Sequence, residues 1–77
     1  MALDIVLYTR AGCHLCDDAH DLLVARGVRP RLVDIDGDPQ LREQFHEWVP
    51  VIAINGKVRL RGIVNAVLLD RELQHGG

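Results

Sequence analysis

Two apolar runs separated by one helical pattern set the topology of this chain. "LDIVLY" (Leu3–Tyr8) is nearly all apolar and rich in β-formers, which suits a strand buried on both faces. "RLVDI" (Arg31–Ile35) reads as a second strand. Between them Leu15, Ala19, Leu22 and Leu23 fall on one helical face, with Asp17, Asp18 and Asp21 elsewhere. Gly27 is placed to end that helix, and Pro30 prevents its resumption. Strand, helix, strand with short connections requires a right-handed crossover and a parallel pair.

The second half adds a different pattern. "DGDPQ" supplies a turn, an N-cap at Asp38 and a first-turn proline at Pro39. A short helix presenting Leu41, Phe45 and Trp48 follows. "VPVIAI" reads as a buried strand, and Asn55-Gly56 is a type I′ hairpin signal leading into "KVRL". Lys57, Arg59 and Arg61 alternate with apolar residues, as on an edge strand protected from aggregation. Gly62 breaks the chain, and Asn65 is placed to cap a last helix carrying Leu68, Leu69 and Leu73. The order β-α-β-α-β-β-α implies an α/β fold: a four-stranded mixed sheet, part parallel and part antiparallel, with helices on both faces.

Length and charge narrow the function classes. At 77 residues the chain is expected to form one domain, 1–77, near the lower limit at which a single apolar core suffices. The 48% apolar content argues against disorder. A net charge of −2 with interspersed signs gives no reason to expect nucleic acid or a membrane surface as partner. Met1-Ala2 is followed at once by Leu3-Asp4, and the first apolar run ends at Arg10, unlike a signal peptide. A cytoplasmic, monomeric protein is the expectation. In a reducing cytosol a close cysteine pair serves catalysis or metal binding more readily than structure.

That pair is Cys13 and Cys16, at the junction of the first strand and first helix. Reaction sites in open α/β sheets favour such strand ends. At a helix N-terminus, unpaired N–H groups and the macrodipole favour a thiolate on Cys13. Cys16, one turn on, is close enough for a disulfide. One activated sulfur and one sheltered sulfur meet the needs of dithiol exchange. His14 is a candidate tuning group for Cys13, and Arg10 would favour the thiolate while Asp17 and Asp18 oppose it.

"LYTRAGCHLC", "WVPVIAINGK" and "LRG" together resemble the glutaredoxins of the thioredoxin-fold superfamily, and most of all a small bacterial glutaredoxin-like group with a Cys-His-Leu-Cys pair and an Asp-Ile-Asp segment. The resemblance covers essentially the whole chain and implies a thiol–disulfide oxidoreductase. Cys13 would be the nucleophile and Cys16 the resolving cysteine. Pro50 matches the family's cis-proline, with Val49 before it offering backbone hydrogen bonds to a bound thiol peptide. Arg10 matches the basic residue that pairs with a glutathione carboxylate. Gly62 matches one glycine of the second glutathione motif, while Asn65 stands where the family has an acid and His14-Leu15 where it has Pro-Tyr. The implied substrates are disulfide-containing proteins or small thiols. No bound cofactor is expected, and glutathione is a candidate co-substrate.

Bland readings stand beside these. The cysteines could simply pack, although a helix start exposes Cys13. Structural zinc would need two ligands from among His14, His20 and His46, and no second CxxC or His pair has zinc spacing, so no metal is expected. His20, His46 and His75 read as solvated, Trp48 as half-buried helix packing, Arg59 and Arg61 as a charged edge, and Asn65 first as a helix cap. Two rival functions use the same fold: a redox-inert binding module, and a carrier in which Cys13 from two chains holds an iron–sulfur cluster.

Overall fold

The computed structural model describes residues 4–75, without the side chains of Glu47 and His75. Its elements are β1 (Ile5–Thr9), α1 (His14–Ala25), β2 (Arg31–Asp34), α2 (Pro39–Phe45), β3 (Val51–Ile54), β4 (Lys57–Arg61) and α3 (Ala66–His75). Short 3-10 turns occupy Ile35–Gly37 and His46–Trp48. The element order is the one expected from the sequence. Leu3, where the first strand was expected to begin, lies outside the described residues, as does the side chain of His75.

The sheet runs β2-β1-β3-β4, with β1 parallel to β2 and antiparallel to β3, and β3 antiparallel to β4. Strand alternation sends side chains to two clusters. Ile5, Leu7, Ile52 and Ile54 pack with Ala19 and Leu23 of α1 and Leu69 of α3. On the other side Val51 and Tyr8 join Ile35, Phe45 and Val49, and Cys16 belongs to this second cluster. Tyr8 and Phe45 meet with ring centroids 4.7 Å apart. The sheet is therefore covered on both faces, which is why β1 and β3 are apolar at nearly every position.

Local signals act where the sequence puts them. The Asp38 carboxylate accepts the Gln40 and Leu41 N–H groups at 2.9 and 3.4 Å, and Pro39 opens α2. The Asn65 side chain accepts the Leu68 N–H at 2.9 Å and starts α3. Asn55 and Gly56 have φ of +53° and +85°, the two left-handed residues that a type I′ turn requires. Past the end of α1, the Gly27 N–H reaches the Val24 carbonyl and the Val28 N–H the Leu23 carbonyl, closing the last turn.

Two expectations need correction. The helical face of α1 was expected to bury Leu15; Leu15 is 51% exposed, and the buried stripe is Cys16, Ala19 and Leu23. Trp48 was expected to extend the apolar face of α2 and lie half-buried. Instead α2 ends at Phe45, where His46 turns to φ +47°, and Trp48 sits on the following turn, 56% exposed. In β4 the cations Lys57, Arg59 and Arg61 are exposed and Val58 and Leu60 half-buried, as expected. The register slips between Ile52 and Ala53, leaving Arg59 extra, so Val58 joins one cluster and Leu60 the other.

The two helices on the α1 face are tied by Arg26, which donates from Nε and Nη2 to the Asp70 carboxylate, the second bond at 3.2 Å. Those hydrogen bonds, with the guanidinium charge, hold Asp70 below the usual carboxylate range. A depressed carboxylate stabilises the fold above its unfolded value of 3.8 and loses that contribution as pH falls below it. The difference in urea midpoint between the wild type and Asp70→Asn should therefore be present at neutral pH and vanish in acid. The core sets a larger scale: Leu69→Ala, at a fully buried position, should cost about 2–5 kcal/mol in the same measurement.

Candidate active site

The site is assembled where β1 hands the chain to α1. Cys13 adopts an extended conformation and is the N-cap of α1. Its sulfur accepts the Cys16 N–H at 3.2 Å, taking the place that a serine or aspartate oxygen takes at other helix starts. The Asp17 N–H reaches the Cys13 carbonyl at 3.3 Å, and the Cys13 N–H reaches the Arg10 carbonyl at 3.3 Å. The Cys13 sulfur is thus held by backbone at the positive end of a twelve-residue helix.

The two cysteines live in different surroundings. Both are free thiols; Cys13 is partly exposed and Cys16 is 2% exposed. Burial pushes the Cys16 thiol up, aided by its hydrogen bond to Cys13 and by the nearby charges of Cys13 and Asp17, to about 12. Cys16 is consequently a protonated, sheltered thiol at neutral pH. His14, the first residue of α1, is exposed, as are Asp17 and Asp18.

The loop before β3 closes the other side. The Val49–Pro50 peptide bond is cis, and both residues are buried. Val49 and Cys16 share the second core cluster, against which Cys13 also packs. Gly62 fastens this loop to the end of β4: its N–H points to the Trp48 and Pro50 carbonyls, at 2.6 and 2.9 Å. Gly62 has φ +79°, and an added Cβ would meet the Trp48 ring at an ordinary 3.9 Å. Backbone conformation, more than space, asks for glycine there.

Cys13, Cys16, Val49, Pro50 and Gly62 are therefore linked by packing or direct hydrogen bonds. Two other expected site residues are engaged by the fold. Asn65 has its side-chain oxygen in the α3 cap. Arg10 donates from Nε and Nη2 to the two Asp36 oxygens at 3.1 and 2.9 Å, and from Nη1 to the His46 carbonyl at 3.4 Å. Asp36 went unassigned from sequence; an Asp-Ile-Asp segment at the end of a strand parallel to the Arg10 strand was the available signal. Arg10 also lines an open cleft of about 430 Å³ with Pro39, Arg42, Glu43 and His46. Among the described residues, no group of three His, Cys, Asp or Glu side chains is placed to hold a metal ion.

Residues 4–74 match the profile of the glutaredoxin-like domain (DUF836). The chain belongs to this family. A structural genomics target, XcR50 from X. campestris, is 32% identical, with a TM-score of 0.84 over 95% of this chain and 99% of that one. The solution structure of glutaredoxin from Brucella melitensis is 24% identical, with a TM-score of 0.64 over 95% of this chain and 80% of that one. Glutaredoxin 1 from Francisella tularensis, solved with cacodylate, is 18% identical, with a TM-score of 0.61 over 96% and 95%. No match was found among curated proteins. The last two likenesses concern the fold: this glutaredoxin-like chain has the thioredoxin-type sheet and a CxxC pair at the start of α1. No helix among the described residues is long and apolar enough to cross a membrane.

The asymmetry of the pair is directly measurable. Iodoacetamide at neutral pH should label Cys13 and leave Cys16 unmodified in the folded, reduced protein, with both labelled in urea; peptide mapping by mass spectrometry reads the difference.

Proposed function

We propose that this glutaredoxin-like protein is a dithiol thiol–disulfide oxidoreductase that reduces protein or low-molecular-weight disulfides. The observation that carries this reading is the Cys16 N–H bond to a partly exposed Cys13 sulfur, with the Cys16 sulfur itself buried behind it. A backbone donor aimed at a sulfur stabilises the thiolate, which is both the nucleophile and the better leaving group in exchange.

The chemistry balances with the two cysteines alone. The Cys13 thiolate attacks one sulfur of a substrate RS–SR, forms a Cys13–S–S–R bond and expels RS⁻, which takes a proton from solvent. Cys16 then loses its proton and attacks the Cys13 sulfur. The second RS⁻ leaves and is protonated, and the protein holds a Cys13–Cys16 disulfide. The substrate gains two electrons, and the cysteine pair loses them. Release of the Cys13 negative charge in the mixed disulfide removes part of what raises Cys16, so its deprotonation becomes easier at the moment it is needed. Two equivalents of an external thiol, oxidised in turn to a disulfide, restore the dithiol; a reducing cytosol is the suitable compartment.

In this reading an extended substrate segment laid against the backbone of Val49, before cis-Pro50, would present its sulfur to Cys13. His14, exposed beside Cys13, would tune it when protonated.

The variants separate the two roles. Cys13→Ser should abolish reduction of a disulfide substrate. Cys16→Ser should still react once and remain as a covalent Cys13 adduct visible in the intact mass. Wild-type turnover in both variants would overturn the proposal.

A further inference from the structure

The cleft lined by Arg10, three residues before Cys13, carries opposing charges. Arg10 and Arg42 bring two positive charges to it and Glu43 one negative charge. The fourth charge is Asp36, whose carboxylate takes the Arg10 guanidinium in a two-point grip. That fork is the side-chain geometry best matched to a carboxylate, so Asp36 occupies the donors a carboxylate-bearing ligand would use. Arg10 is also covalently close to the reaction: its own carbonyl accepts the Cys13 N–H. A small disulfide with a carboxylate a few bonds from its sulfur would bring that carboxylate toward this guanidinium as Cys13 attacks.

The pair is not needed to hold the turn it sits on. The Ile35–Gly37 turn is capped by Asp34, whose side chain accepts the Asp36 N–H at 2.9 Å. The Asp36 side chain is about a third exposed and its contact with Arg10 spans two strands' ends. An ion pair of such exposure adds little stability, while it changes strongly what Arg10 offers to a ligand.

We propose that Asp36 is a specificity-determining residue: by holding Arg10 it disfavours small anionic, carboxylate-bearing disulfides at Cys13 and leaves neutral and cationic disulfides as the better substrates. The inference rests on the oxidoreductase reading for its kinetic form but not for its binding form. Asp36→Ala frees the Nε and Nη2 donors of Arg10 and removes the nearer of the two carboxylates, Asp36 and Asp34, that act on it. Its effect depends on substrate charge and is screened by salt, unlike a general change in Cys13 reactivity.

The test uses the prereduced full chain in single-turnover reactions with three probes: oxidised glutathione (anionic), hydroxyethyl disulfide (neutral) and cystamine (cationic). Asp36→Ala should raise the second-order rate with oxidised glutathione roughly two- to fivefold. The neutral probe should be unchanged, and the gain should disappear in Asp36→Ala/Arg10→Ala and at high salt. Asp36→Asn, which keeps the shape and removes the charge, should show a smaller gain in the same direction. No gain with the anionic probe, or an equal gain with all three, overturns the proposal. A parallel calorimetric titration of oxidised glutathione into Cys13→Ser, with and without Asp36→Ala, reads binding without chemistry. Tighter binding in the double variant upholds the role of Asp36 even if the wild type reduces no probe, an outcome that would instead overturn the oxidoreductase reading. Unchanged binding counts against Asp36.

Discussion

The hydrogen bond from the Cys16 N–H to the Cys13 sulfur joins the fold to the chemistry. As a cap it satisfies one of the orphan donors at the start of α1. As an electrostatic contact it favours negative charge on the same sulfur. The rest of the architecture keeps that bond in place. β1 delivers the chain to the helix start, α1 buries Ala19 and Leu23 against β1 and β3, and the Cys16 side chain is carried into the second cluster with Val49 and Phe45. Moving Cys16 by one residue along the helix would put its sulfur in solvent and lose the sheltered partner.

The legible part of the fold was carried by residues whose local chemistry has few alternatives. Asn55-Gly56 needs two left-handed residues and finds them, Asp38-Pro39 opens α2, and Asn65 caps α3. The runs at β1 and β3 are apolar because both of their faces are covered. What escaped depends on tertiary geometry with no periodic signature. Arg59 reads as one more exposed cation in an alternating strand, yet it is the extra residue that sends Val58 and Leu60 to opposite faces. Trp48 is in register with Leu41 and Phe45 only if the helix continues, and the left-handed His46 ends it. Leu15 and Cys16 are both apolar enough to bury, and only packing against Val49 and Ile35 decides which one turns inward.

The site divides along the same line. The cysteine spacing and the placement of Gly62 concern backbone and are carried by residue types, while the cis bond before β3 was legible only through the family resemblance, since most X–Pro bonds are trans. Arg10 and Asn65 concern side chains, and one position fixes only what a side chain could reach. The partner it chooses comes from elsewhere in the chain: Asp36 from the turn after β2 for Arg10, and the Leu68 N–H one turn into α3 for Asn65.

This division bears on what the protein recognises. The two polar side chains expected to meet a substrate are each held by the fold, one in an ion pair and one in a helix cap. On the Gly62 side of the site, Trp48 and Ile63 are 56% and 72% exposed, beside the exposed Arg61. On the proposals made above, the thiol chemistry would stay fixed at Cys13 and Cys16 while Asp36, a carboxylate that pairs with Arg10, would tune substrate preference. Because Asp36 sits outside both core clusters, preference can change there without disturbing the packing that keeps Cys16 buried.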